Sequence, residues 1–381
     1  MRKLLGVIVL TFAILAMAAT IKVGVVLPMT GGISAFGQMT WEGIQIAHSV
    51  KPTVAGHEIK LVLLDNRSEK TEAANAVARA IDKEKVVAII GQVASSHSLA
   101  GGAVAEEKHT PMISPSSTNP LVTQGKKYVS RACFIDPFQG GAAAVFAFNK
   151  LGARRAVVFT DIQQDYSVGL TNFFMRAFRK LGGTVIQVFY NTGDQDFSAQ
   201  ISTALAFSPD VIFITGYYPE AALISRQARQ LGYTGYIMGG DGLEAPELVS
   251  IGGEAVEEVY FTTHFHAKAA ATPMTKKFVA MYKEKYKKDP SALAALGFDA
   301  YLILAEAMER VLKAHPEYVN DLQKFRDAVA IEIRNTKNFE GASGYITINK
   351  NGDAVKSVVV DVVKNGEFDF AGIINPDEIP M

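Results

Sequence analysis

Apolar runs with strand composition alternate with helical patterns along most of the chain. The predicted strands are Ile21–Leu27, Glu58–Leu64, Val86–Ile90, Pro111–Ser114, Ala156–Phe159, Thr184–Phe189, Val211–Thr215 and Tyr236–Met238. The predicted helices, with apolar residues at helical spacing, are Trp41–Val50, Glu69–Asp82, Ser98–Lys108, Val168–Leu181, Phe197–Phe207 and Glu220–Leu231. A strand, a helix and a second strand in succession form a parallel βαβ unit, so the pattern predicts a doubly wound α/β fold.

The chain is too long for one hydrophobic core. Its 381 residues predict about two domains. A break with proline and two glycines at residues 136–141 interrupts the alternation, which then restarts as a second sheet. The pattern turns mainly helical from Thr272 to Val329, and short strands follow at Tyr345–Ile348 and Val355–Val363. Late strands after a helical block indicate that the chain crosses back between two lobes.

We therefore predict an α/β fold of two Rossmann-like lobes joined by three hinge crossings. Lobe 1 would comprise residues 19–137 and 268–345, and lobe 2 residues 138–267 and 346–381. Residues 1–18 belong to neither lobe and are predicted to be a signal peptide.

The first eighteen residues have the order of a secretory signal peptide. Arg2 and Lys3 precede the apolar run Leu4–Leu15, and the segment AMA at 16–18 supplies a small-residue cleavage site. The run is too short for a comfortable membrane span. The single cysteine, Cys133, excludes an intramolecular disulfide and leaves no cysteine at the cleavage site to carry a lipid. We expect a periplasmic protein that is exported without a lipid anchor.

The charge of the chain is balanced. Without residues 1–18 it carries 36 basic and 38 acidic residues, a net charge of −2. A basic patch for nucleic acid is therefore not expected, and we expect a monomer.

Two of the predicted strands end in small hydroxyl residues. Val86–Ile90 passes through Gly91 into Ala94, Ser95 and Ser96, and a second strand ends in ISPSSTNP at 113–120. If the strands are parallel neighbours, their carboxyl ends face one crevice, where open α/β sheets bind ligands. The amides that begin the helix after the first loop would favour a carboxylate. In the alternative interpretation, these residues only cap helices and fill turns.

The sequence has no enzyme signature. It lacks a G-x-S-x-G elbow, a P-loop and a G-x-G-x-x-G turn, and no hydrolase triad is apparent. His264 and His266 form an H-x-H pair, but no further ligands accompany it, whereas a metal site needs three or four. We predict no catalytic residue, no metal and no cofactor.

A series of motifs resembles the type I periplasmic binding proteins for branched-chain amino acids. In family order they are PMTGG at 28–32 with Phe36 and Gly37, Asp65, GQVASSHS at 91–98, ISPSSTNP at 113–120, QQDYSVGL at 163–170, TGYYPEA at 215–221 and GGDGL at 239–243. The resemblance covers nearly all of the predicted mature chain. It implies a two-lobed clamp that closes on an amino acid and delivers it to an ATP-driven membrane permease.

The resemblance also implies roles for individual residues. Ser95 and Thr118, with the amides of Ala94 and Ser96, look like the grip on the ligand α-carboxylate. Asp241, with Thr118 and the carbonyl of Ser116 or Ser117, looks like the partner of the α-ammonium. Tyr166 and either Tyr217 or Tyr218 would cover the ligand from the opposite lobe. Phe36, Val93 and Ala94 offer no charge, which suits an aliphatic side chain.

Two positions depart from the family pattern. Asp241 stands where members often carry Glu, and Phe36 stands where many carry Tyr. Other functions therefore remain open at this point. The same clamp could bind an amide, a urea-like solute or an aromatic acid, or it could act as a ligand sensor for a separate membrane receptor.

Overall fold

The computed structural model describes residues 19–269 and 271–379. The predicted signal peptide lies outside these residues. Within them, no helix is both long enough and apolar enough to cross a membrane.

Sixteen strands and eleven helices make up the described residues. The strands are β1 Thr20–Leu27, β2 Thr53–Val54, β3 His57–Asp65, β4 Ala88–Ile90, β5 Met112–Ser114, β6 Val129–Arg131, β7 Arg155–Asp161, β8 Thr184–Tyr190, β9 Val211–Ile214, β10 Tyr236–Gly239, β11 Val259–Thr263, β12 Phe339–Gly341, β13 Gly344–Ile348, β14 Ala354–Val355, β15 Val358–Lys364 and β16 Glu367–Ile374. The helices are α1 Ser34–Val50, α2 Lys70–Asp82, α3 Ser95–Glu107, α4 Asp136–Val145, α5 Asp165–Lys180, α6 Ser198–Phe207, α7 Tyr218–Gln230, α8 Pro246–Gly252, α9 Pro273–Tyr286, α10 Ala292–Ala314 and α11 Leu322–Arg334.

Two separate sheets confirm the predicted α/β fold of two Rossmann-like lobes. The first sheet has the order β2-β3-β1-β4-β5-β6 and is parallel apart from β2. The second has the order β16-β15-β11-β10-β9-β7-β8, in which β15 runs antiparallel to both of its neighbours and β11, β10, β9, β7 and β8 are parallel to one another. Strands β4 and β9 are buried along their whole length, as expected for strands that helices cover on both faces.

The chain passes between the sheets three times. It leaves the first sheet after β6, returns after β11 to form α9, α10 and α11, and enters the second sheet again at β15. Helix α10 packs against α1 of the first lobe, whereas α4 packs against α5 of the second.

Two of the predicted lobe boundaries differ from these contacts. We predicted that lobe 2 begins at 138, but α4 already begins at Asp136, and Pro137 sits in its first turn, where a missing N–H costs nothing. We also predicted that residues 346–355 belong to lobe 2, yet β14 pairs with β13 and Asp353 lies 2.9 Å from Arg131 of β6. We therefore propose crossings at Ile135 and at Lys356–Ser357. The sequence did not indicate these boundaries, because short strands do not reveal which sheet they join.

Candidate functional site

A cavity lies where the carboxyl edges of the two sheets face each other. Nine of the twelve predicted site residues line it, together with Gly242 and Leu293: Phe36, Val93, Ala94, Ser95, Ser116, Thr118, Tyr166, Tyr217 and Asp241. The cavity volume is about 20 Å³, so in this conformation the two lobes leave little space between these side chains.

The first lobe contributes the two hydroxyl-rich loops. Because β4 and β5 are parallel neighbours, the loops that follow them lie side by side. Helix α3 begins at Ser95, and its first-turn amides have no partner within the helix. The Ser95 hydroxyl also accepts a hydrogen bond of 3.2 Å from the Asn119 amide, which joins the two loops. This wall presents hydroxyls and helix-end amides, a combination suited to a carboxylate.

The remaining three predicted residues lie beside the cavity and have other hydrogen-bond partners. Ser96 donates to Asp165 of the second lobe at 2.8 Å. The Ser117 hydroxyl bonds to the Val93 carbonyl at 2.8 Å, and the Tyr218 hydroxyl donates to the Gly32 carbonyl at 3.0 Å. Of the two adjacent tyrosines, only Tyr217 therefore lines the cavity.

On the opposite wall, neutral hydrogen-bond donors surround the carboxylate of Asp241. Gln139 and the Tyr166 hydroxyl donate to Oδ1 at 2.7 and 2.8 Å, and His264 Nε2 lies 3.0 Å from Oδ2. Burial lowers the pKa of His264, so the ring is neutral near pH 7 and donates its Nε2 proton. The negative charge of Asp241 thus has no counter-charge among these partners, while a carboxylate can accept about four hydrogen bonds.

The glycines on either side of Asp241 permit this close packing. A Cβ on Gly240 would lie 2.2 Å from the Tyr166 hydroxyl, and one on Gly242 would lie 2.5 Å from the Gly216 carbonyl. Both contacts are too short for any side chain. The glycines thus serve a close approach and not only a turn.

A second buried carboxylate, Asp136, was not predicted from the sequence. It is fully buried, and within the described residues its carboxylate oxygens have no well-formed hydrogen bond, although the Thr118 hydroxyl is close enough to lower its pKa somewhat. Burial, together with the charge of Asp241, raises the pKa of Asp136 to about 8. A buried carboxylate without partners is costly, unless a cation or a donor is supplied.

Aromatic and aliphatic side chains close the rest of the cavity. The Phe36 ring meets the rings of Tyr217 and Tyr218 edge-on, with centroids 5.7 and 5.1 Å apart, and the Tyr166 ring stacks on Tyr217 at 5.4 Å. Leu293, at the start of α10, adds apolar surface that the sequence did not predict. This side of the cavity offers no charge and suits an aliphatic group.

Hydrogen bonds across the cleft hold the lobes together around the cavity. Asp165 accepts from the Ser96 hydroxyl and lies 2.8 Å from Lys70, while the Asn119 side chain donates to the Asp165 carbonyl at 2.7 Å. The Tyr218 bond to Gly32 adds a further link at the other side. The described conformation is therefore a closed one.

A protein-family model described as a periplasmic binding protein matches residues 20–367. The chain belongs to this family. The match confirms the family resemblance, and because members of this family are solute-binding proteins, it also supports the prediction that the chain is a binding protein and not an enzyme.

Several relatives of this periplasmic binding protein have known ligands. It is 29% identical over 350 residues to the leucine-, isoleucine-, valine-, threonine-, and alanine-binding protein of Pseudomonas aeruginosa, covering 90% of this chain and 89% of the relative. It is 31% identical over 327 residues to a leucine-specific-binding protein of Salmonella typhimurium, covering 84% and 87%.

The chain is also similar to solved structures of amino-acid-binding proteins. A leucine binding protein LivK from Thermotoga maritima shares 66% sequence identity and a TM-score of 0.90, covering 94% of this chain and 100% of the other. The branched-chain amino acid transporter substrate binding protein LivJ from Streptococcus pneumoniae, solved with isoleucine, shares 30% identity and a TM-score of 0.86 with the same coverage.

Sequence reasoning missed Asp136, Gln139 and His264. Asp136 stands between an apolar segment and Pro137, which reads as a turn, and Gln139 lies in the segment that we took for a domain break. His264 was considered only as part of an H-x-H pair, but its side chain is 2% exposed and it follows β11 directly.

Proposed function

We propose that this protein binds an amino acid with an aliphatic side chain, most simply leucine, isoleucine or valine, and delivers it to a membrane permease. The observation that carries the proposal is the separation of charges in the cavity. One wall has hydroxyls and helix-end amides, the opposite wall has the carboxylate of Asp241, and the remaining wall is apolar. An α-amino acid matches all three, because each of its charges would be paired when water is expelled.

The site residues follow from this arrangement. Ser95 and Thr118, with the first amides of α3, would hold the α-carboxylate. Asp241 and Asp136 would share the α-ammonium, together with the Ser116 carbonyl, since the Ser117 carbonyl is already bound by Arg131. Phe36, Val93, Ala94 and Leu293 would surround the side chain, and Tyr166 and Tyr217 would cover the ligand.

The charge distribution disfavours the second class of ligand. An aromatic acid, an amide or a urea-like solute has no ammonium, so Asp241 would stay without a counter-charge in a closed cleft. Relatives that bind branched-chain amino acids at 29 to 66% identity support the same choice.

Export and delivery complete the proposal. Residues 1–18 would be removed as a signal peptide, and the mature protein would act as a periplasmic monomer without a lipid anchor and without nucleic acid as a partner. The partner would be the permease of an ATP-driven transporter. A separate sensor receptor is the alternative, and leucine uptake by vesicles that contain the permease would distinguish the two.

The first experiment is thermal unfolding of ligand-stripped protein with single candidate ligands. Leucine, isoleucine and valine are compared with 4-methylpentanoate, which lacks the ammonium, with leucinol, which lacks the carboxylate, and with benzoate and leucinamide. A ligand at a hundred times its dissociation constant adds about 2.7 kcal/mol to the free energy of unfolding. We expect this shift for the amino acids alone. A shift only with ligands that lack an ammonium would contradict the proposal.

A further inference from the structure

The side chain of Arg131 is fully buried at the end of β6, behind the loop that carries Thr118. Its guanidinium does not reach the cavity. Nη1 donates to the Ser117 carbonyl at 2.5 Å, and Nη2 donates to the Asn119 carbonyl at 2.9 Å. The arginine therefore binds the residues on both sides of Thr118.

The bond to the Ser117 carbonyl fixes the direction of the Thr118 amide. In a trans peptide, the carbonyl of one residue and the N–H of the next point in opposite directions. Because the Ser117 carbonyl points at Arg131, the Thr118 N–H points away from it. Within residues 19–269 and 271–379 this amide donates to no other group, and Thr118 lines the cavity.

Further residues bind the guanidinium of Arg131. Nε lies 2.9 Å from the Asp353 carboxylate, and Nη2 also donates to the Thr123 hydroxyl at 2.9 Å. The Thr123 hydroxyl donates to the same Asp353 carboxylate at 2.6 Å, and the Arg131 amide donates to the Gly352 carbonyl at 2.8 Å. A planar fork with several donors can hold separate acceptors at fixed angles, which a lysine cannot do.

We propose that Arg131 is a positioning residue for recognition of the ligand carboxylate. It holds the Ser117–Thr118 peptide plane and the Asn119 carbonyl so that the Thr118 amide faces the carboxylate, and Asp353 keeps the buried guanidinium in place and neutralised. This inference rests on the proposed amino-acid ligand. It predicts that changes at Arg131 alter recognition of one end of the ligand and leave recognition of the other end intact.

The test is the Arg131→Lys variant, which keeps the charge and loses the fork. Dissociation constants are measured by calorimetry for leucine, leucinol and 4-methylpentanoate. The ratio of leucinol to leucine constants reports on the carboxylate, and the ratio of 4-methylpentanoate to leucine constants reports on the ammonium. We expect Arg131→Lys to reduce the first ratio at least tenfold and to change the second by less than threefold.

Arg334→Lys is the matched control. Arg334 also binds main-chain carbonyls next to β6, those of Lys126, Val129 and Lys350, but it contacts nothing in the ligand loops. We expect this variant to lower the unfolding temperature and to leave both ratios unchanged. If Arg131→Lys does not fold, Asp353→Asn serves instead, because it removes the counter-charge and one anchor of the guanidinium, and it should reduce the first ratio in the same direction.

The outcomes separate the two proposals. If the unaltered protein does not bind leucine, the proposed function fails whatever the variants show. If it binds leucine and discriminates against leucinol, but Arg131→Lys weakens both ligands equally, Arg131 has only a structural role and the inference is overturned.

Discussion

The carboxylate of Glu244, in the second lobe, accepts a hydrogen bond of 2.6 Å from the Ala292 amide at the start of α10. Helix α10 packs in the first lobe, so this bond crosses the cleft. Glu244 is 4% exposed and also accepts from the Thr263 hydroxyl. A carboxylate from one lobe thus binds the positive end of a helix in the other, next to the cavity-lining Leu293.

Glu244 should make the stability of the protein depend on pH. Burial raises the pKa of Glu244 to about 7, from an ordinary value of 4.5. Between these two values the unfolded chain releases a proton that the folded protein retains, so the free energy of unfolding falls as the pH rises, by about 3 kcal/mol from this group. Below about pH 4.5 and above about pH 7 the contribution is constant.

The Glu244→Gln variant should lose this contribution. Urea unfolding at pH 4.5 and pH 8 should show that the variant gains stability relative to the unaltered protein as the pH rises. Glu254→Gln, at an exposed position, is the control and should follow the unaltered protein. A parallel pH dependence for Glu244→Gln and the unaltered protein would contradict the assignment.

Substitutions at Asp136 and Asp241 should both weaken leucine binding, whereas only the substitution at Asp136 should raise the stability of the ligand-free protein. Asp241→Asn removes a negative charge from the proposed ammonium site, and Asp136→Asn removes a carboxyl that a bound ammonium would ionise, so leucine binding should weaken by about 2 kcal/mol or more in calorimetry. Binding of 4-methylpentanoate should not weaken. Asp136→Asn should also raise the free energy of unfolding without ligand at pH 8 to 9, because an ionised, unpartnered carboxylate no longer has to be buried. Unchanged leucine affinity in either variant would remove that residue from the site.

Tyr217 should hydrogen-bond the ligand. Its hydroxyl is buried, lines the cavity and has no hydrogen-bond partner within the described residues. Tyr217→Phe should weaken leucine binding by about 1 kcal/mol without lowering the stability of the ligand-free protein. Tyr190→Phe is the matched control, since the Tyr190 hydroxyl is also buried and unpartnered within those residues but does not line the cavity. Equal affinities for the two variants would contradict the role of Tyr217.

Asp165 should favour the closed conformation. Asp165→Ala removes its bond to Ser96 and its ion pair with Lys70, both of which cross the cleft. We expect weaker leucine binding, by about tenfold, and a larger radius of gyration in solution scattering at subsaturating leucine. Asp165→Asn keeps a partner for Ser96 and loses only a partly exposed ion pair, so its effect should be smaller. An unchanged affinity in Asp165→Ala would show that these contacts do not contribute to closure.

Much of the fold was predictable because it depends on local pattern. Continuous apolar runs such as Val86–Ile90 predict strands buried on both faces, and their alternation with helical patterns leaves few topologies other than parallel sheets. The two hydroxyl-rich loops were identifiable for the same reason, since Ser95 and Thr118 follow such strands directly. Helix α4 was missed because a proline and two glycines indicate a break, whereas the proline occupies a first turn that tolerates it.

The tertiary structure decided which side chains share the cavity. Asp136 and Gln139 come from α4 and His264 follows β11, and they approach Asp241 only because the fold sets these distances, which local sequence does not reveal. It also decided that the Ser117 hydroxyl and carbonyl are occupied while Thr118 faces the ligand space. Sequence alone determined the family, the two lobes and the hydroxyl-rich loops, because these depend on local residue types. The direction of each polar group was determined by packing, because hydrogen-bond partners distant in sequence compete for it.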